Sequence, residues 1–240
     1  DLHHRGRREK LEEIAATLPA GSVTVVTGSC CEEAGAQRMV EAALAINGRL
    51  YILVNTAAIE KNKSVVDMDP AVWREMLENN LTGPFLMMKS AIPAMIAGGG
   101  GSIINVASLA GVRAVPGGPA YCTTKAGLIH LTKQVAYDYG KNNVRCNVVC
   151  PGPVRTSMLE MNVQPLADAL GTDMDGAFAK LAEFVPLNRI AVPADMAGLF
   201  VFLASDDSNF MTGTTVMNDG GVHFVDAFAA GVGQLGGEWG

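Results

Sequence analysis

The chain has 240 residues, 49% hydrophobic and 18% charged, which is enough to bury one large core in a single α/β domain over residues 1–240. A net charge of −6 without a Lys/Arg block argues against nucleic acid or an anionic membrane as main partner, no apolar run reaches membrane-span length, and no signal-peptide pattern opens the chain. Cys30, Cys31, Cys122, Cys146 and Cys150 form no zinc-type CxxC pairs, so no metal site is expected, and their odd count fits reduced thiols in a cytoplasm.

Helices and strands alternate along the chain. Arg8–Leu18 reads as a helix with apolar residues at Leu11, Ile14 and Leu18, Ser22–Thr27 as a Val-rich strand, and Glu33–Ile46 as a helix ended by Asn47-Gly48. Leu50–Val54 is the next strand. Asp69-Pro70, an N-cap followed by proline in the first turn, opens a helical stretch that continues with breaks to Ala97. The strand Ser102–Ala107, a helix from Tyr121 to Tyr139, the strand Val144–Val149, a helix at Pro193–Leu203 and a last strand at Thr214–Met217 complete the pattern. Alternation of this kind predicts one Rossmann-like, doubly wound parallel sheet.

Within that frame Tyr121 and Lys125 stand one helical turn apart, so a phenol and an ammonium share a face, and the cation is expected to favour phenolate. Ser108 closes an apolar run that reads as a buried parallel strand, and its hydroxyl falls at the carboxyl end, where ligands bind in open α/β sheets. Asn80 precedes Gly83-Pro84, which interrupt its helix, so its amide is expected to turn inward where backbone pairing is disturbed.

The order and spacing of Asn80, Ser108, Tyr121 and Lys125 resemble the short-chain dehydrogenase/reductase family. So do Asn105-Val106-Ala107-Ser108-Leu109-Ala110-Gly111, the run Asn147 to Thr156 containing Pro151-Gly152, and the ending Met211 to Gly221. The likeness covers about Asp1 to Val222. It implies NAD or NADP as cofactor, a small-molecule alcohol or ketone as substrate, and a homo-oligomer, tetramer or dimer. It further implies that Tyr121 exchanges the substrate proton while Lys125 lowers its pKa and holds the nicotinamide ribose. Ser108 would bind the substrate oxygen, Asn80 would position a water, and Pro151-Gly152 and Val154-Arg155-Thr156 would fold over the nicotinamide, with the Val154 backbone and the Thr156 hydroxyl fixing its carboxamide.

Val26-Thr27-Gly28-Ser29 looks like the start of the family's phosphate loop, Thr-Gly-x-x-x-Gly-x-Gly, yet Cys30-Cys31-Glu32-Glu33 supplies no further glycine and adds two negative charges. Spacing matches Asp1–Asn55 instead to the family's segment from the end of its second strand to the end of its fourth. The first strand, glycine-rich loop and first helix, a unit of about 30 to 40 residues, are then missing from this sequence, and a fuller parent protein is expected.

On that alignment Asp1 takes the place of the acidic residue on the adenosine ribose, which favours NAD over NADP, although Arg5, Arg7 and Arg8 offer a 2′-phosphate an alternative partner. Ser29 stands where the family carries the Asp that contacts adenine, and Asn55-Thr56-Ala57-Ala58 replaces Asn-Asn-Ala-Gly, leaving Asn55 and Ala57 as cofactor contacts. Ala58 adds a methyl where backbone passes a ribose, so weaker cofactor binding is expected. Ser157 to Arg189 corresponds to the variable substrate lid; its Met158, Leu159, Met161, Leu166, Leu170, Met174, Phe178, Leu181 and Phe184 divide between core packing and an apolar pocket, with Arg155 the one charged anchor. The apolar tail His223–Gly240 is read as a subunit contact. Two other readings stay open: a dehydratase, lyase or isomerase on the same scaffold, and a cofactor-free binding or scaffolding relative.

Overall fold

Three of the Val/Ile-bearing runs and the ending Thr-Val-Met-Asn assemble into one parallel sheet in a computed structural model that describes residues 2–225. Its strands are β1 (Ile52–Asn55), β2 (Gly101–Val106), β3 (Val144–Pro151) and β4 (Thr215–Asn218), in the order β1-β2-β3-β4. Parallel neighbours need crossover connections, and helices supply them. α1 (Leu2–Ala16) and α2 (Glu33–Asn47) come before β1, and α3 (Pro70–Leu77) and α4 (Gly83–Ala97) lie between β1 and β2. α5 (Pro119–Tyr139) joins β2 to β3, and α6 (Ser157–Leu170), α7 (Met174–Ala182) and α8 (Ala194–Ala204) join β3 to β4.

Because β2 and β3 are covered on both faces, they are buried continuously rather than on alternate residues, and they carry Ser102, Asn105, Arg145 and Asn147 among their apolar positions. Val40, Leu53, Met88, Ile92, Ile103 and Val135 form the core on one face, and Ile104, Val149 and Leu203 the packing under α8 on the other. Polar side chains in this interior are paired, apart from the buried Thr215 Oγ1, which has no partner among the described residues. Asn55 Nδ2 donates to Asn105 Oδ1 at 2.8 Å, Asn105 Nδ2 donates to Thr132 Oγ1 at 2.9 Å, and the Thr132 hydroxyl donates to the Leu128 carbonyl at 2.8 Å. The chain of bonds ties β1, β2 and α5 together directly beneath the carboxyl ends of the strands. Asn105→Ala strands the Asn55 amide in the interior and is expected to destabilise the fold by about 2–4 kcal/mol. Urea denaturation measures it; a loss below about 0.5 kcal/mol would mean that the network contributes little.

One expected element does not form. Ser22–Thr27 is Val-rich but joins no ladder: among the described residues the backbone of residues 23–28 makes no hydrogen bond to other backbone, and Val23 is 40% exposed. A strand is a property of a pair, and no described strand lies beside this segment. The outer edge of β1 is likewise unpaired among the described residues, with Ile52 and Val54 each about two-fifths exposed. α1 begins at Leu2, six residues before the expected Arg8, and the other elements fall within a few residues of the expected boundaries. The lid region, predicted only as amphipathic helices, is the α6–α7 hairpin, with its own small core of Val163, Ala167, Ala177 and Phe178.

Candidate active site

Asn55, Val106, Pro151 and Asn218 end their strands on the same side of the sheet, and the site is built there. Asn80 arrives on a π-turn, Glu78–Thr82, between α3 and α4. Pro84 has no N–H to offer the Asn80 carbonyl in the α-helical pattern, so the helix widens at this point. The Asn80 side chain is fully buried: Oδ1 accepts from the Ile59 N–H at 2.8 Å, and Nδ2 donates to the Ile59 carbonyl at 2.8 Å and to Thr124 Oγ1 at 3.3 Å. It thus pins the loop after β1 to the turn of α5 that carries Tyr121.

Ser108 follows β2. Its Oγ accepts from the Ala110 N–H at 3.1 Å, capping a short 3-10 turn (Leu109–Gly111), and its hydroxyl neighbours the Tyr121 phenol. A Cβ on Gly111 would lie 2.9 Å from the Lys125 carbonyl carbon, so glycine is what lets this turn pack against the backbone of α5. Lys125 is 2% exposed, with Nζ 2.8 Å from the Val106 carbonyl and 5.6 Å from the Tyr121 ring centroid. Ser108 and Lys125 thus both neighbour Tyr121, while Asn80 reaches the same turn of α5 through Thr124.

Electrostatically the pair departs from the expectation drawn from spacing. Burial pushes the Tyr121 phenol up to about 12; the Glu60 carboxylate adds to the rise, and the neighbouring Ser108 hydroxyl opposes it. Burial also lowers Lys125 to about 8, against the pull of Cys150 and Glu60. The Lys125 amine donates to the Val106 carbonyl, with Nζ 5.6 Å from the Tyr121 ring centroid, and burial rather than the cation dominates the phenol.

Glu60 itself was not foreseen. It follows Ile59, the residue that Asn80 clamps, in a loop whose Lys63 N–H bonds the Gly117 carbonyl at 2.8 Å just ahead of α5. Nothing in its sequence context distinguishes it from an ordinary loop acid. Glu60→Gln removes a negative charge from the vicinity of the phenol and is expected to lower the Tyr121 pKa by a few tenths to about one unit. Ultraviolet titration of tyrosinate, with Tyr121→Phe as the reference, reads this; no change or an upward change would dismiss the coupling. Thr124 was missed too. It is fully buried, and besides accepting from Asn80 it donates to the Tyr121 carbonyl at 2.8 Å.

The expected cofactor residues separate into two groups. At the nicotinamide side, Val154 forms an isolated bridge with Ala191 in which the bonds are made by Arg155 and Pro153, so among the described residues Val154's own N–H and C=O have no partner. Lys125 Nζ has one acceptor for three N–H groups, an unmet donor capacity in a buried position that suits a diol. Pro151 ends β3, and Gly152 lies so close to Asp219 that a Cβ would stand 2.7 Å from its Cα. Thr156 Oγ1 caps α6, accepting from the Leu159 N–H at 3.4 Å. This half fits a nicotinamide nucleoside. On the adenosine side the fit is poorer. The Asn55 amide is turned into the interior toward Asn105, Ser29 Oγ accepts from the Cys31 N–H at 3.2 Å, Ala57 is an exposed residue after β1, and Asp1 lies outside the described residues.

Fold and site together define a Rossmann-like α/β protein with an Asn-Ser-Tyr-Lys constellation at the carboxyl ends of its strands. A family model described as "Enoyl-(Acyl carrier protein) reductase" matches residues 1–223. The chain is 37% identical over 183 residues to 2-keto-3-deoxy-L-fuconate dehydrogenase of Xanthomonas campestris pv. campestris, covering 76% of this chain and 60% of that protein. It is 32% identical over 219 residues to human dehydrogenase/reductase SDR family member 4, covering 90% and 75%. The ligand-free aldohexose dehydrogenase of Thermoplasma acidophilum superposes with a TM-score of 0.79 at 29% identity, over 84% of this chain and 79% of that one. The chain belongs to the short-chain dehydrogenase/reductase family. It spans 60% of the length of the Xanthomonas relative.

Proposed function

We propose that the protein is an NAD(P)-dependent oxidoreductase that interconverts a secondary alcohol and a ketone, with Tyr121 as the acid and base. What carries this reading is the convergence of Tyr121, the Ser108 hydroxyl and the under-partnered Lys125 amine where β2 ends. Dehydrogenase relatives support it. The nicotinamide, when bound, gives or takes the hydride. Ser108 donates to the substrate oxygen and stabilises charge developing there. Tyr121 Oη gives that oxygen a proton in reduction and removes one in oxidation. A phenol held near 12 is a poor base, and the free N–H groups of Lys125, which would also hold the nicotinamide ribose, are the cationic donors available to lower it. Asn80 holds Ile59 and Thr124, keeping the loop after β1 registered on α5.

The reading extends to NAD in preference to NADP, to a cytoplasmic location and to a substrate without strong negative charge. The last is supported by Arg155, which is engaged by Glu160 at 3.3 Å and Asp175 at 2.7 Å and so is no free anion anchor, and by exposed Met161, Phe184 and Leu187 around the lid. A substrate panel in which only acidic ketones react would reverse this. A homo-oligomer, tetramer or dimer, is supported by exposed Phe85, Tyr137 and Phe210; sedimentation as a monomer would remove it. Titration with NAD(H) and NADP(H) tests the central claim. Binding with an absorbance change at the reduced-cofactor band on adding an alcohol or ketone is expected. Binding without redox turnover points to lyase or isomerase chemistry, and no binding by the full-length protein points to a binding relative.

A further inference from the structure

Outside the site just described, the chain places two thiols side by side. Cys30 and Cys31 lie between the Ser22–Thr27 segment and α2, both partly exposed, whereas Cys146 and Cys150 are buried. Their sulfurs converge on one point of the backbone: a carbon built on Gly83, the first residue of α4, would lie 3.2 Å from Cys30 Sγ and 3.5 Å from Cys31 Sγ. The absence of a side chain at Gly83 is what leaves room for both. The Cys31 N–H bonds Ser29 Oγ at 3.2 Å and its thiol reaches Asn79 Oδ1 at 3.7 Å, so that the second sulfur is held in place against the π-turn.

Two sulfurs on adjacent residues, converged and reachable by solvent, are a bidentate donor set. Among the described residues no group of three His, Cys, Asp or Glu side chains gathers to hold a metal ion, so four-coordinate zinc is not matched here. A soft trivalent centre that brings one substituent of its own needs only two thiols. We propose that Cys30 and Cys31 form a dithiol site that captures a trivalent organoarsenical. With phenylarsine oxide the arsenic–oxygen bond is replaced by two arsenic–sulfur bonds, and the oxygen leaves as water with both thiol protons. Arsenic stays trivalent and neither sulfur is oxidised. Chelation by two neighbouring sulfurs makes the second bond intramolecular, which is why the pair outcompetes isolated thiols. Burial and the neighbouring Cys30 raise Cys31 to about 11, which keeps it a thiol at neutral pH and slows one-site alkylation, a reaction that needs thiolate.

Intact-mass spectrometry of the full chain with one equivalent of phenylarsine oxide is the test. The expected result is one phenylarsenic adduct per chain, resistant to excess monothiol and removed by a small dithiol. Cys30→Ser and Cys31→Ser should each lose it, while Cys122→Ser keeps it. Circular dichroism melting confirms that the variants fold, and iodoacetamide should label Cys31 at least about tenfold more slowly than free cysteine. Retention of the dithiol-reversible adduct in either single serine variant, its loss in Cys122→Ser, or no adduct on the wild-type chain would each overturn the proposal.

Discussion

Tyr121→Phe is expected to lower turnover by about 10²–10⁴-fold, the usual contribution of a positioned acid or base, while leaving folding and cofactor affinity nearly unchanged. The ring stays, so its packing beside Lys125 is preserved; only the oxygen proposed to exchange the substrate proton is lost. Because that oxygen and the Ser108 hydroxyl are proposed to act on the same substrate atom, their losses should not add. Ser108→Ala alone is expected to cost about 10²-fold, and the double variant should be little worse than Tyr121→Phe. Steady-state kinetics of the three variants decides this, with thermal melts to show that each is folded. Near wild-type turnover in Tyr121→Phe would take the tyrosine out of the chemistry, and fully multiplicative losses would mean that the two hydroxyls serve different steps.

The parts of this site that were legible in the sequence are those whose geometry is local. The apolar run ending at Ser108 must place its hydroxyl at a strand end, and Gly83-Pro84 must disturb the helix that carries Asn80; both happen. What required the structure depends on partners distant in the chain. Ser22–Thr27 has the composition of a strand but finds no described neighbour to pair with. Asn55, which resemblance assigns to the cofactor, spends its amide on Asn105, fifty positions away. Glu60 affects Tyr121 only because the loop after β1 is folded back by Asn80, and Thr124 matters for the same reason. The i, i+4 spacing of Tyr121 and Lys125 correctly puts them on one face, yet it does not say where a four-carbon stem will deliver its amine. The Val106 carbonyl determines that.

Lys125→Met is expected to abolish activity and to make the folded protein more stable at pH 7. Lys125 is among the largest fully buried side chains, and burial draws its pKa from 10.5 to about 8, a drop worth roughly 3 kcal/mol of disfavoured charge. Methionine fills similar volume without that cost, but it leaves the Val106 carbonyl without its donor, which offsets about 1–2 kcal/mol. The net gain at neutral pH is then about 1–2 kcal/mol in urea. Its pH dependence identifies the cause. Between about 8 and 10.5 the unfolded chain holds the proton that the native amine has released, so wild-type stability rises with pH through that window; below it the cost is present in full, and above it the cost is gone. The advantage of Lys125→Met should therefore shrink as pH climbs from 8 and be lost or reversed near 10.5. A variant that is less stable than wild type at pH 7, or whose difference from wild type is flat across this window, would show that the buried ammonium is not being held against its own preference. If the window appears, the fold carries at Lys125 a buried charge that it would be more stable without, as the proposed role of that amine requires.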